Sequence, residues 1–229
     1  MRRKILVATT NPGKLSELRA SLGSDVICLS LSDIKGAGEI EEDGVTFAEN
    51  ARKKALHYAK ATGLWTIADD SGIVIDALGG APGVKSSRFS ETTSGSRRAE
   101  TTPQVSGAKD KDRKLLDHKN MAKVLKLLQN VPKERRTARF VCHLCLASPE
   151  FIEGASPEKI LIETEGTLEG LIAEKEKGEN GFGYDPIFFV PKLNKTVAQL
   201  TAQEKNAISH RGNAIRKLKP LLNGLLQRG

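Results

Sequence analysis

The chain has 229 residues, three cysteines and a formal net charge of +8. A chain of that length buries a substantial core within one domain. No apolar run approaches the ~18 residues of a membrane span. The basic start Met1-Arg2-Arg3-Lys4 precedes an apolar stretch too short for a secretory signal, so a cytoplasmic protein is expected. The positive balance favours anionic partners (nucleotides, nucleic acids, acidic lipids) without choosing among them. Seven Phe, two Tyr and one Trp are few for a protein that stacks many bases on an open platform. Cys142 and Cys145 form a C-x-x-C inside an apolar run that reads as a strand. Residues three apart on a strand face opposite ways, so the pair makes a poor metal clamp or redox motif.

In chain order, Lys4 to Ala8 reads as a first strand. It runs into Thr9-Thr10-Asn11-Pro12-Gly13-Lys14, after which Leu15, Leu18 and Leu22 recur at helical spacing. Asn11 fits an N-cap and Pro12 the first helical position. Backbone N–H groups with Lys14 in the first turn make an anion site, although the spacing is not that of a Walker loop. Taken alone, the same residues read as a capped helix with a solvated lysine. Val26 to Leu31 is a second strand. An acidic cluster, Glu39-Ile40-Glu41-Glu42-Asp43-Gly44, precedes the capping box Thr46-Phe47-Ala48-Glu49. The helix that follows carries Ala51, Ala55 and Ala59 on one face and ends near Gly63.

Trp65 to Leu78 reads as strand, acidic turn and strand, with Asp69 and Asp70 at the turn followed by Ser71-Gly72. Such carboxylates suit a divalent cation or a general base; equally, Asp, Ser and Gly are ordinary turn residues. Gly79 to Gly83 forms a tight loop. Ser86 to Asp112 is rich in Ser, Thr, Gly and charge, and its composition predicts a mobile insertion at about residues 90–112. Its basic residues are read as a polyanion contact or as solvated charge. A helix follows from Met121 through Leu128. Arg139 to Ala147 and Ile160 to Thr164 are strands, and Thr167 to Ile172 is expected to pair with one of them. The glycines of Gly181-Phe182-Gly183-Tyr184-Asp185 permit close backbone approach and an exposed ring suited to a base, or simply a turn with a core Phe. Thr201-Ala202-Gln203-Glu204 is a second capping box. Its helix buries Ala207, Ile208, Ala214, Ile215 and Leu218 and carries Lys205, Ser209, His210 and Arg211 along a polar edge.

Thr9 to Lys14, the acidic stretch before Thr46 to Ala51, Ala68 to Gly72, Gly79 to Gly83, Gly181 to Pro186 and Ser209 to Arg211 occur in one order. Together they resemble the inosine triphosphatase-like family, pyrophosphatases of non-standard purine nucleoside triphosphates. The likeness spans nearly the whole chain; the departures are a longer stretch from about Glu91 to Asp112 and an extension at Pro149 to Lys159. The resemblance implies an α/β fold, a single domain over 1–229 with an elongated mixed sheet, flanking helices and two lobes around a nucleotide cleft. It implies a homodimer that cleaves ITP, dITP and XTP to the monophosphate and pyrophosphate with Mg²⁺. By matched position Thr9, Thr10, Asn11, Pro12, Gly13 and Lys14 hold the triphosphate, and Glu41 and Asp70 serve the metal. Asp70 also takes the proton of the attacking water, and Ser71 contacts substrate. Phe182, Gly183, Tyr184, Asp185, Lys205, His210 and Arg211 line the base pocket.

The chemistry of the residues agrees with this. A triphosphate demands facing cations and N–H groups, and Mg²⁺ needs only one or two protein carboxylates. Adjacent strand residues point opposite ways, so one of Asp69 and Asp70 should face the site and the other be structural. Two alternatives remain: a pyrophosphatase for other modified nucleotides, and a basic nucleic-acid-binding module. Carboxylates at turns weigh against the second, because they repel phosphates unless a metal bridges them, so no stable nucleic-acid partner is expected.

Overall fold

The computed structural model describes residues 2–34, 36, 38, 40–92, 106–150 and 159–228. Its strands are β1 (Lys4–Val7), β2 (Ile27–Ser30), β3 (Trp65–Ile75), β4 (Thr137–Ala147), β5 (Ile160–Ile172), β6 (Phe188–Val190) and β7 (Lys195–Thr196). They form one seven-stranded sheet in the order β2-β1-β3-β4-β5-β6-β7. The sheet is mixed: β1 pairs in parallel with β2 and β3, while β5–β6 and β6–β7 are antiparallel. The helices are α1 (Pro12–Leu22), α2 (Phe47–Thr62), α3 (Ser106–Leu127), α4 (Ala202–Ile208) and α5 (His210–Arg228). The fold is α/β, as the sequence implies.

The chain divides into two compact units, residues 1–71, 140–168 and 206–229 in the first and 72–139 and 169–205 in the second. In the first unit the sheet is buried on both faces. Ile5, Val7, Trp65, Ile67, Cys142 and Leu144 pack with Leu18 and Leu22 of α1 and Ala214, Ile215 and Leu218 of α5. On the other face Leu6, Ala8, Ala68, Cys145 and Ala147 meet Ala51, Ala55 and Ala59 of α2, the small-residue stripe read from sequence. Cys142 and Cys145 thus lie on opposite faces. Burial pushes both thiols up to about 12, which leaves them inert at neutral pH. In the second unit Ile73, Ile75, Phe89, Met121, Val124, Leu128, Tyr184, Ile187 and Phe188 are buried.

The local signals act as read at several ends. Asn11 Oδ1 accepts the Gly13 and Lys14 amides, with Pro12 at N1. Gly63 closes α2 in the left-handed region. Thr201 and Glu204 form a reciprocal capping box. At Thr46 only half of the box is present: Thr46 Oγ1 accepts the Glu49 amide, but the Glu49 carboxylate accepts from Val45 instead.

Four expectations are corrected. The strand, turn and strand expected over Trp65 to Leu78 is one strand through Ile75; the aspartates sit inside it because buried partners stabilise them there. The separate strands expected at Ile160 to Thr164 and Thr167 to Ile172 are one strand. Gly166 allows this, since a Cβ there would lie 2.1 Å from the His210 carbonyl of α5. The C-terminal helix is two helices broken at Ser209, whose Oγ accepts the Gly212 amide. The stretch read as a loop from Ser86 is helical on both sides of residues 93–105: Gly83 to Thr92 forms 3₁₀ turns, and α3 begins at Ser106. Residues 93–105 and 151–158, where the remainder of the expected insertion and the extension fall, lie outside the described residues.

Candidate active site

Asp69 and Asp70 occupy adjacent positions in β3 and project to opposite faces of the sheet. Asp69, 1% exposed, lies on the α1/α5 face. Its Oδ2 receives Lys14 Nζ at 2.9 Å, Arg211 Nη2 at 3.2 Å and the Ser71 hydroxyl at 3.2 Å. Burial alone would raise its pKa, but Lys14, Arg211 and Lys54 together hold the carboxyl far below the usual range. Arg211 is itself 1% exposed; its Nη1 grips the Glu17 carboxylate and its Nη2 also donates to Ser71 Oγ at 2.9 Å.

Asp70, 6% exposed, is on the α2 face. Its Oδ2 accepts from Asn50 Nδ2 at 3.0 Å, and its Oδ1 accepts the Ser71 amide at 2.9 Å. Burial pushes this carboxyl up to about 6, against the pull of Lys14 and Lys54 and with added repulsion from Glu42. Two neighbouring aspartates therefore differ in kind. One is an anion neutralised by surrounding cations; the other is a carboxyl that burial raises, a separation of the kind found at functional sites.

The elements around them supply the rest. Thr9 Oγ1 accepts the Asn11 amide and Asn11 caps α1, so the Thr9–Lys14 loop is pinned while Lys14 is aimed at β3. The N-terminus of α1 presents the positive end of the helix dipole, but its amides are already engaged: Asn11 N–H on Thr9 Oγ1, and Gly13 and Lys14 N–H on Asn11 Oδ1. In the acidic loop Glu41 is exposed, whereas Glu42 pairs with the buried Lys54 at 3.0 Å. Asn50 joins this loop to Asp70: its Oδ1 accepts the Gly44 amide at 2.8 Å while its Nδ2 donates to the Asp70 carboxylate. His210 stacks on Phe140, ring centroids 4.8 Å apart.

The second unit builds its own constellation at Gly181 to Asp185. Gly181 and Gly183 take positive φ, +82° and +63°, which only glycine adopts cheaply. Asp185 Oδ2 accepts the Phe182 amide at 2.9 Å and Lys205 Nζ at 2.7 Å, and that ammonium also lies 4.4 Å over the Phe182 ring. Tyr184 is buried and its hydroxyl donates to the Ser86 carbonyl at 2.8 Å.

The sequence profile of the Ham1 family matches residues 5–221. The chain belongs to the Ham1 family. It is 43% identical to the dITP/XTP pyrophosphatase of Desulforamulus reducens, over 97% of this chain and 96% of the relative. It is 45% identical to that of Exiguobacterium sibiricum, over 97% and 98%. The HAM1 protein structure from Coxiella burnetii superposes with a TM-score of 0.76 at 37% identity, covering 97% of this chain and 99% of that one. The nucleoside-triphosphatase / dITP/XTP pyrophosphatase structure from Mycobacterium abscessus gives a TM-score of 0.66 at 41% identity, covering 95% and 99%.

Within this Ham1 chain the first unit brings together Thr9 to Lys14, Asp70, Ser71 and Arg211, and also holds Glu41 and His210. The second unit gathers Phe182, Gly183, Tyr184, Asp185 and Lys205. The sequence reading missed Glu17 and Lys54, and it named Glu42 and Asn50 only as members of the acidic cluster and of the first turn of α2. Asn50 had one signal, a buried-type polar residue in the first turn of a helix beside an acidic loop. Glu17 had none, because its role depends on Arg211 from the far end of the chain.

Proposed function

We propose that this Ham1 chain is a nucleoside triphosphate pyrophosphatase that hydrolyses ITP, dITP and XTP to the monophosphate and pyrophosphate. The observation that carries the reading is the divergence of Asp69 and Asp70 to opposite faces of β3, Asp69 held by Lys14 and Arg211 and Asp70 met by Asn50 and the Ser71 amide without a contacting cation among the described residues. The names and identities of the relatives support it. In the proposed reaction Thr9 to Lys14 hold the triphosphate through the Lys14 ammonium and the positive end of the α1 dipole. Asp70, oriented by Asn50, takes the proton of the attacking water, and Ser71 contacts substrate.

Mg²⁺ is the proposed metal: among the described residues no three or more His, Cys, Asp or Glu gather into a ready-made site, and Mg²⁺ needs only one or two protein carboxylates. Asp70 is a buried carboxylate whose own cations do not fully offset its burial, and Glu41 and Glu42 lie in the loop that Asn50 ties to it. Mg²⁺ completes its shell with water and substrate phosphates. Asp70 and Glu41 are its proposed ligands; when bound, it would offset phosphate charge and acidify a water. A homodimer acting in the cytoplasm without a stable nucleic-acid partner is proposed from the resemblance. No helix among the described residues is long and apolar enough to cross a membrane.

For the base, Phe182 is the proposed stacking surface, with Gly183, Tyr184 and Asp185 shaping its turn. Lys205 and His210 are the proposed donors to the C6 oxygen that hypoxanthine and xanthine share. Arg211, read from sequence as a third donor to the base, has its guanidinium committed to Glu17, Asp69 and Ser71, so it is proposed to act through them. Adenine carries an amino group at C6, and guanine brings a 2-amino group that must find an acceptor. Unpaired polar groups in a pocket are strongly discriminating, so kcat/KM for ITP and XTP should exceed that for ATP and GTP at least about a hundredfold. Ribose and deoxyribose forms should differ little. Pyrophosphate release across this panel, with Mg²⁺ and with EDTA, is the test. Equal turnover of GTP and ITP would contradict the base reading, and undiminished turnover in EDTA the metal.

A further inference from the structure

Helix α3 carries Asp117, Asn120 and Lys123 at three-residue spacing, and each spends its side chain on backbone groups of neighbouring turns. Asp117 Oδ2 accepts the Gly183 amide at 2.9 Å. Asn120, 1% exposed, accepts the Ser90 amide at 2.7 Å and donates to the carbonyls of Ser87 at 3.2 Å and Ser86 at 3.4 Å. Lys123 Nζ donates to the Phe89 carbonyl at 2.7 Å. The Ser86 carbonyl also accepts the Tyr184 hydroxyl. The Gly181–Asp185 turn is therefore tied to α3 twice: directly at Gly183, and at Tyr184 through a carbonyl it shares with Asn120.

The direct tie bears on the shape of the turn. Asp185 fixes the Phe182 amide from within, but the next amide, Gly183, is held from outside by Asp117. Those two amides flank the Phe182 side chain. A carboxylate accepting from a backbone N–H makes a strong, directional bond. Removing it would let the positive-φ glycine rotate, and a ring on that turn would move with it.

We propose that Asp117 is a positioning residue for base recognition, acting on substrate through the Gly183 amide and the Phe182 ring. The inference rests on the reading of this turn as the base contact. A base held equally in ground and transition states contributes uniform binding, whose loss raises KM and leaves kcat in place.

The test is steady-state kinetics with ITP and GTP on wild type, Asp117→Ala, Asp117→Glu, Asp117→Asn and Phe182→Ala, with the unfolding midpoint of each. Asp117→Ala and Asp117→Glu should raise KM for ITP at least about tenfold, with kcat within roughly twofold and a reduced preference for ITP over GTP. Asp117→Glu keeps charge and bulk, so it reports even where truncation costs folding. Asp117→Asn should stay within about threefold of wild type, because its amide oxygen still accepts the Gly183 N–H. Unchanged KM in both the Ala and Glu variants, a kcat loss matching the KM rise, or an Asn variant behaving like Ala would overturn the proposal. Phe182→Ala separates the two layers. If it leaves KM unchanged, the base-contact reading fails; if it raises KM while the Asp117 variants do not, only the positioning role fails.

Discussion

Asp70→Asn is expected to lower kcat on ITP by ~10²–10⁴-fold, the scale of a positioned acid–base group, and at the same time to stabilise the metal-free protein at alkaline pH. The sign follows from the shift. The folded carboxyl is raised to about 6 from an ordinary 3.8, so between these values the folded chain binds more protons than the unfolded one. Stability is then lost as pH rises through about 6; asparagine, with no charge to bury, escapes that loss, a gain offset in part because its one amide oxygen replaces two acceptors, those of Asn50 Nδ2 and the Ser71 amide. A shift of this size corresponds to no more than about 3 kcal/mol. Urea unfolding in EDTA should show the variant more stable than wild type at pH 8, with the gain gone near pH 4. Asp69→Asn should do the reverse. Its carboxyl is depressed, so its contribution is present above the ordinary carboxylate range and fades as pH falls below it. The substitution should cost stability at pH 8 and less of kcat. Equal kcat losses in the two variants, or a destabilised Asp70→Asn at pH 8, would contradict the division of roles. Stabilisation on removing a functional group is the usual trade between activity and stability.

The second large effect concerns Arg211. Arg211→Ala removes a guanidinium that is 1% exposed and leaves the carboxylates of Asp69 and Glu17 facing each other without it. Breaking a buried pair by deleting one partner costs about 3–5 kcal/mol. Arg211→Lys should recover only part of this, since an ammonium cannot reproduce the planar fork that spans Glu17, Asp69 and Ser71. The double variant Asp69→Asn/Arg211→Met, which removes both charges, should be more stable than Arg211→Ala. Lys14→Ala should cost less, because Lys14 is partly solvated and Arg211 remains on Asp69. Urea unfolding at pH 8 is the check; a loss below about 1 kcal/mol for Arg211→Ala would place the ion network among weak surface pairs.

The sequence made legible whatever is decided within a few residues. Asn11 and Pro12 start α1, Gly63 stops α2, and the Thr201–Glu204 box opens α4, each by bonds spanning no more than four residues. Long-range decisions were hidden. Two consecutive aspartates with Ser-Gly after them read as a turn; their burial inside β3 depends on Lys14, Lys54 and, 142 residues away, Arg211 around Asp69 and on Asn50 at Asp70. The polar composition after Ser86 reads as unable to order itself, but Asn120 supplies three hydrogen bonds to that backbone from about thirty residues on. Opposite facing of Asp69 and Asp70 was legible from strand geometry alone; which of them keeps its charge most firmly was not, because that depends on cations from α1, α2 and α5. The Gly181–Asp185 turn was visible through its glycines, while Asp117, which holds one of its amides from 66 residues away, carried no local sign.

The most direct measurement is the product of ITP turnover, followed by ³¹P NMR with wild type and with Asp70→Asn. Cleavage of the α–β anhydride predicts IMP and pyrophosphate in equal amounts from the wild type, and neither from Asp70→Asn on the same timescale. IDP with orthophosphate, or undiminished pyrophosphate from the variant, would contradict the assignment of this site.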